Sequence, residues 1–113
     1  MVSPAAGKVV LVRFPFSDLS AAKLRPAIVL AATGRDDWVL CQITSNPYTD
    51  ALAIRIEETD FAVGSLQKAS YARPGKLFTA NAALMVSDLG TLKEGCLKNV
   101  VASVVRLLQG GRS

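Results

Sequence analysis

The sequence predicts a mainly β chain with some α structure: a small, mostly antiparallel barrel of about five to seven strands with a C-terminal helix. Short runs of β-branched and aliphatic residues are separated by turn residues, and one long helical pattern follows at the end. Half of the 113 residues are hydrophobic but only 6% are aromatic, which predicts an aliphatic core. Because closing a small sheet removes its exposed edges, we expect residues 1–113 to form one barrel domain.

Three apolar runs in the first half of the chain predict consecutive strands. Pro15 should end the first of them, because proline cannot donate a hydrogen bond to a sheet ladder, and Pro26 suits the first position of the second. The strands are expected at Lys8–Phe14, 26–32 and 38–44, with loops over 16–24 and 45–50 and a compact turn over 33–37.

The second half of the chain carries shorter patterns. Residues 52–57 alternate between apolar and polar side chains, which is typical of a half-buried strand. Asn81 is placed to cap one helical turn over 81–85. The remaining expectations are an acidic loop from Glu58 to about Gly64 and two short strands, over 70–73 and 76–79, around Pro74-Gly75.

A C-terminal helix is the clearest element of the pattern. Thr91 and Glu94 have the spacing of a capping box, which predicts the start of the helix at Thr91. The pair Gly110-Gly111 should end it. Apolar residues recur at helical spacing at Leu97, Val100, Val101, Val104, Val105 and Leu108. This apolar face can serve the core, a dimer contact or both.

Charge and the lack of histidine limit the chemistry of the chain. A net charge of +4 and a pI of about 9.4 permit a polyanionic partner without requiring one. Since there is no histidine, an enzyme would need another group for proton transfer near neutral pH. Cys41 and Cys96 are expected to be reduced, buried thiols, and two cysteines without histidine argue against a zinc site. We therefore expect no metal and no cofactor.

The sequence shows no sign of membrane targeting. The first eight residues lack a basic start followed by a long apolar segment, and no apolar run is long enough to cross a bilayer. The expectation is a cytoplasmic protein that has no membrane partner.

Several short motifs follow one another along nearly the whole chain. They are GKVVLV (7–12), FPF (14–16), RPAIVL (25–30), ITS (43–45), KLFT (76–79) and LGTL (89–92), with Leu66 and Ser70 between them. In this order and spacing they resemble the MazF/PemK family of toxin endoribonucleases, the toxin components of type II toxin–antitoxin systems.

The resemblance implies a fold, an activity and partners. It implies an SH3-like β-barrel that forms a homodimer and is held inactive by a small acidic antitoxin. It also implies cleavage of single-stranded RNA without a metal. Arg25 and Thr44 stand at the positions of the family's active-site arginine and threonine.

These residue types suit RNA chemistry without histidine. RNA carries its own nucleophile, the 2′-hydroxyl, whose attack leaves a 2′,3′-cyclic phosphate and a free 5′-hydroxyl. A guanidinium is always charged and grips phosphate in bidentate fashion, so Arg25 can stabilise the charge that builds on the phosphate oxygens. Thr44 can donate a further hydrogen bond, and proton transfer falls to Arg25, Thr44 or water. Such a set predicts a slow enzyme.

Each candidate residue also has a plain structural interpretation. Without the family resemblance, Arg25 is interpreted as a surface arginine before a strand. The hydroxyls of Thr44 and Ser45 can simply cap the next turn. Arg73 and Lys76 are either phosphate contacts or solvated loop charges. The candidate RNA-binding residues are Phe16, Lys23, Ser45, Tyr48, Ser70, Arg73 and Lys76, of which Phe16 and Tyr48 would stack on bases.

The chain departs from the family pattern at three places. Residues 17–24 contain no glycine, Gly75-Lys76 stands where many members have Glu-Gln, and Phe78 replaces an arginine often found before the late threonine. These changes leave the RNA sequence preference open. They also leave room for a barrel of the same family that binds RNA or a protein without cutting. A plain SH3-like peptide module is disfavoured, because a proline-peptide groove needs aromatic walls.

Overall fold

A computed structural model describes residues 2–14 and 23–110, which form one curled antiparallel sheet and a C-terminal helix. The seven strands lie in the order β4-β6-β3-β2-β1-β7-β5, so the predicted mainly β fold with a C-terminal helix is confirmed. The elements are β1 (Lys8–Phe14), β2 (Lys23–Gly34), β3 (Asp37–Thr44), β4 (Ile54–Ile56), β5 (Phe61–Gly64), β6 (Ser70–Asn81), β7 (Met85–Leu92) and α1 (Glu94–Leu108). Two short 3-10 helices lie at Glu58–Asp60 and Ala82–Leu84.

The central strands are buried on both faces, which explains their nearly continuous apolar runs. Successive side chains of a strand point to opposite faces of the sheet. One face carries Val10, Val12, Ala27, Val29 and Leu40, with Ala80 and Met85 packed beside them. The other carries Val9, Ile28, Cys41 and Ile43 and is covered by Val100 of α1 together with Ile56, Phe61 and Leu92.

A two-residue turn, Arg35-Asp36, joins β2 to β3. Both residues have positive φ, 55° and 63°, as a type I′ hairpin turn requires. Asn81 braces the turn, because its Nδ2 donates to the Arg35 carbonyl oxygen at 3.2 Å and to Asp37 Oδ1 at 3.0 Å. The expected turn and the strand after it are confirmed, and the register of the hairpin is thereby fixed.

The predicted start of β2 at Pro26 is wrong, as is the placing of Lys23 and Leu24 in a loop. β2 begins at Lys23, and Pro26 lies inside it opposite Leu11 of β1. The ladder to β3 starts only at Ala27, so at Pro26 the strand is paired on one side alone. A proline is tolerated at such a position, because there it removes no hydrogen bond from the second ladder.

Three further expectations for the second half of the chain are corrected. The two short strands predicted around Pro74-Gly75 are one strand, β6, which bulges opposite Gln42, between the pairs Cys41–Leu77 and Ile43–Ala72. The strand predicted over 52–57 is confined to Ile54–Ile56. The acidic loop contains a 3-10 helix and β5, which pairs with β7, a strand that the sequence patterns did not indicate.

The helix is confirmed, but its predicted cap is wrong. Thr91 lies in β7, paired with Lys8, and the N-cap residue is Lys93, whose N–H donates to the Asp60 carbonyl oxygen at 2.8 Å. The predicted cap at Asn81 is confirmed, since its Oδ1 accepts from the Ala83 N–H at 3.0 Å. Among the described residues, no helix combines the length and the apolar character needed to cross a membrane.

The apolar pattern of α1 serves the core only in part. Val100 and Val104 are buried against the sheet, and Leu97 packs beside the cluster around Val9. Val101, Val105 and Leu108 remain exposed, at 39%, 45% and 74% of their accessible surface.

Gly64 and Gly90 are paired in the β5–β7 ladder. Their close approach allows a test of the fold. A Cβ on Gly64, which has φ +78°, would meet the Leu89 carbonyl oxygen and the Gly90 Cα. We expect Gly64→Ala to lower the free energy of unfolding by about 2 kcal/mol or more. The matched control Gly95→Ala, in an open helical position, should raise it by up to about 1 kcal/mol. Urea denaturation measures both, and equal stabilities would contradict this account of the β5–β7 pairing.

Candidate functional site

The candidate site forms where β2 and β3 part. Their last pair is Ala27–Gln42, and Arg25 and Thr44 each lie two residues beyond it, at corresponding positions of the two strands. Between the diverging strands is a cavity of about 150 Å³, here called the β2–β3 cavity. It is lined by Leu24, Arg25, Pro26, Ile43, Thr44, Ser45, Leu66, Lys68 and Ser70. The two predicted catalytic residues therefore meet in one cavity.

The charge of the β2–β3 cavity is positive. Arg25 and Lys68 line it, no carboxylate does, and neither cation forms an ion pair with a carboxylate in the part of the chain that the structure describes. Three larger hollows on the described surface, of about 520, 480 and 360 Å³, each include at least one carboxylate. The smallest of the four is thus the one suited to an anion, because its cations are not neutralised locally.

The Thr44 hydroxyl lies at the strand end and is held by the following turn. Its Oγ1 accepts from the Asn46 N–H at 3.1 Å and lies 3.0 Å from the Asn46 carbonyl oxygen, to which it can donate. Asn46 Oδ1 in turn accepts from the Tyr48 N–H at 2.9 Å. Thr44, rather than Ser45, therefore caps the turn. A rotation about the C–O bond redirects the hydroxyl hydrogen into the cavity while the Asn46 N–H still holds the oxygen.

Ser70 reaches the β2–β3 cavity but is 2% exposed, so it presents little surface to a ligand. Its hydroxyl donates to the Lys68 carbonyl oxygen at 3.2 Å and supports the backbone there. Lys68 was not among the residues predicted from the sequence. It belongs to a loop without periodic pattern, and its place beside Arg25 arises only from the tertiary fold.

The structure groups Tyr48, Arg73 and Lys76 in a different place, the Tyr48 hollow, whose lining also includes Asp50 and Gly75. Arg73 Nε donates to Asp50 Oδ2 at 2.8 Å, and both side chains are mostly buried. Of the two predicted alternatives for Arg73, the solvated loop charge is wrong, because Arg73 is one half of an ion pair that ties the loop after β3 to the bulge of β6; the phosphate contact stays a prediction. Tyr48 and Lys76 are exposed beside it.

The remaining predicted residues are distributed as follows. Ser45 is exposed and lines the β2–β3 cavity. Lys23 is exposed and shares a face of β2 with Arg25, because the two residues are two positions apart, but it is not part of the cavity lining. Phe16 lies outside the described residues.

The cysteines lie outside the β2–β3 cavity. Both are free thiols, as predicted, and Cys41 is buried; the expected burial of Cys96 is wrong, because its side chain is partly exposed in the first turn of α1. Burial raises the pKa of Cys41 to about 11, so this thiol stays protonated and inert near neutral pH. In the described ranges there is no cluster of three or more His, Cys, Asp or Glu side chains that could hold a metal ion.

The Asp50–Arg73 ion pair predicts a pH-dependent contribution to stability. The hydrogen bond from Arg73, followed by that from the Leu52 N–H, holds the pKa of Asp50 below its usual range. Because the pKa of Asp50 is lower in the folded state, the ion pair stabilises the protein fully at a pH above the unfolded-state pKa of about 4. This stabilisation is lost as the pH falls through the folded-state pKa.

We therefore expect Asp50→Asn to cost about 1–2 kcal/mol of unfolding free energy at pH 7, with the difference shrinking below about pH 4. Lys98→Gln, which breaks the exposed pair with Glu94, is the control and should cost less than about 0.5 kcal/mol. Urea denaturation across this pH range provides the measurement. Equal stability of wild type and Asp50→Asn at pH 7 would contradict the assignment.

Comparison with solved structures identifies proteins that share this fold. No family model matches the chain, and no curated protein matches its sequence. Among solved structures, MazF from Deinococcus radiodurans has 17% identity and a TM-score of 0.75 over 96% of this chain and 99% of that chain. A MazE–MazF structure from the same organism has 18% identity and a TM-score of 0.75 over 97% and 98%. A mycobacterial endoribonuclease in complex with its cognate antitoxin has 14% identity and a TM-score of 0.73 over 95% and 96%. Over nearly its full length, the chain therefore has the fold of the MazF toxin endoribonucleases.

Proposed function

We propose that this chain is a MazF/PemK-type toxin, an endoribonuclease that cleaves single-stranded RNA without a metal. The observation that carries the proposal is the β2–β3 cavity, where Arg25 and Thr44 meet without any carboxylate in the lining. A cationic cavity of this kind favours a phosphodiester over a neutral or cationic ligand. The likeness to MazF structures supports the same conclusion through the fold.

The proposed reaction is an attack of the RNA 2′-hydroxyl on the adjacent phosphorus. The new P–O2′ bond forms as the P–O5′ bond breaks, which gives a 2′,3′-cyclic phosphate and a 5′-hydroxyl. Arg25 stabilises the charge on the non-bridging oxygens, and Thr44 donates one further hydrogen bond after its hydroxyl turns away from Asn46. Water takes the proton of the 2′-hydroxyl and supplies one to the leaving oxygen. The site is then slow, because no side chain of ordinary pKa near 7 assists proton transfer.

A second function, RNA or protein binding without cleavage, is favoured by one observation. The Thr44 hydroxyl and the Ser70 hydroxyl both have backbone partners within the protein. If neither is released when RNA binds, Arg25 holds the phosphate but the transition state receives no hydrogen bond from either hydroxyl. The cleavage experiment below separates the two functions.

Cleavage should be seen when purified protein is incubated with a diverse pool of single-stranded RNA in the presence of a chelator. We expect products with cyclic phosphate and 5′-hydroxyl ends, and no cleavage of the matching DNA, which lacks the nucleophile. Arg25→Ala should reduce the rate at least about 100-fold, because removing one preorganised charge at the transition state has an effect of that size. Arg106→Ala, an exposed helix arginine, removes the same charge elsewhere and should leave the rate unchanged.

Thr44 offers a matched pair of variants in the same assay. Thr44→Ser keeps the hydroxyl and should retain most activity, whereas the similarly shaped Thr44→Val should lose it. Far-ultraviolet circular dichroism checks that each variant is folded. If wild type cuts no RNA in the pool, or if Arg25→Ala cuts as fast as wild type, the enzymatic proposal is wrong.

The proposed partners follow from the resemblance and from the charge of the chain. We infer a cytoplasmic homodimer and a short acidic antitoxin whose chain covers the cationic surface around Arg25. Light scattering should give twice the 12.0 kDa of one chain, and an acidic protein encoded beside this gene should co-elute with the dimer and relieve growth arrest. A mass near 12.0 kDa would contradict the dimer, and continued growth arrest on co-expression would contradict the antitoxin.

A further inference from the structure

Lys68 is shared by two neighbouring hollows. It lines the β2–β3 cavity with Arg25 and Thr44. It also lines a larger open hollow, here called the Glu58 hollow, together with Arg55, Glu57, Glu58, Thr59 and Gln67. An RNA strand that leaves the β2–β3 cavity past Lys68 therefore enters the Glu58 hollow.

The two hollows differ in volume, and the difference indicates which part of an RNA each of them can hold. The β2–β3 cavity has about 150 Å³, below the roughly 300 Å³ at which cavities begin to hold drug-sized molecules. It suits a phosphate group, so the nucleoside that follows must lie outside it. The Glu58 hollow has about 520 Å³, which is sufficient for one base and part of its sugar.

The backbone presents Lys68 in a fixed position. Gln67 has φ +61°, and its N–H donates to Ser65 Oγ at 2.8 Å. Ser65 Oγ donates to Glu58 Oε1, also at 2.8 Å, so the turn is tied to the 3-10 helix before β5. On the other side, Ser70 donates to the Lys68 carbonyl oxygen. None of these three contacts uses the ammonium group of Lys68.

The charges of the lining side chains favour a phosphate at Lys68 and a base in the Glu58 hollow. Lys68 has no ion pair with a described carboxylate, so it can take a phosphate. Beyond it, Glu57 Oε1 lies 3.5 Å from Arg55 Nε in an exposed ion pair, whereas Glu58 forms no ion pair with a described cation, so the Glu58 carboxylate can repel a second phosphate and accept a hydrogen bond from the amino group of a base. Ser65 orients the Glu58 carboxylate through Oε1, which leaves Oε2 for such a donor.

We propose that Lys68 binds the phosphate next to the scissile one and directs the adjoining base into the Glu58 hollow. The base preferred there carries an amino group on its Watson–Crick edge, as cytosine, adenine and guanine do and uracil does not. This inference rests on the proposed function, and binding of an uncleavable RNA tests it separately from cleavage.

The first experiment measures the Kd of a short 2′-O-methyl RNA, which cannot be cleaved, as a function of salt. Lys68→Ala should weaken binding about fivefold or more at 0.1 M salt and lower the slope of log K against log salt by about 0.7, the value for one phosphate contact on a single strand. Lys98→Ala removes an equal charge from the exposed face of α1 and should change neither quantity.

The second experiment varies the single base that follows the scissile position. Wild type should bind RNA with an amino-bearing base more tightly than RNA with uracil there, and Glu58→Gln should reduce that difference. If wild type binds RNA while Lys68→Ala binds it equally well with the same salt slope, the inference is overturned and the proposed function stands. If wild type binds no RNA at all, both are overturned.

Discussion

The register of the β2–β3 hairpin is the constraint on which the candidate site depends. The Arg35-Asp36 turn pairs Gly34 with Asp37, and Ala27 later pairs with Gln42. Two register shifts between these pairs give β2 two more residues than β3. Without them, the register would place Asn46, not Thr44, across from Arg25. Because a shift of one residue turns a side chain to the other face of the sheet, two shifts change the partner and keep the face.

The chemistry of the site follows from how the fold distributes its charges. Arg73 is neutralised by Asp50 and serves to hold the loop after β3, whereas Arg25 and Lys68 line the β2–β3 cavity, whose lining includes no carboxylate. A site of fixed cations and hydroxyls binds and stabilises a phosphate but moves protons poorly. This combination matches the proposed reaction, in which the RNA itself provides the nucleophile.

The elements predicted correctly from the sequence are those that have a local sequence pattern. β1 and β3 are continuous apolar runs, α1 has a clear helical period, and Arg25 and Thr44 were identified by motif and do meet in one cavity. β7 was not predicted, because its Ser87-Asp88-Leu89-Gly90 segment has turn-like composition. Tertiary contacts hold it in the sheet: β7 pairs with β1 and β5, and Asp88 Oδ2 pairs with Lys8 Nζ at 2.7 Å.

The surroundings of Arg73 have a similar origin. Arg73 and Lys76 flank Pro74-Gly75 in sequence, but the bulge of β6 places Arg73 against Asp50, 23 residues away along the chain. The pairing of Thr91 with Lys8 in the β1–β7 ladder likewise overrides the local capping pattern before α1. In both cases a partner distant in sequence decides what a side chain or a backbone group does, and no local pattern contains that information.

The proposed function requires that an RNA phosphate binds where β2 and β3 part. Nuclear magnetic resonance of the isotope-labelled protein, titrated with a 2′-O-methyl RNA, tests this most directly through the amide shifts. We expect the largest shifts at Arg25, Thr44 and Ser45, with smaller ones at Tyr48 and Lys76. Largest shifts around Tyr48 and Lys76, with Arg25 and Thr44 unmoved, would contradict it.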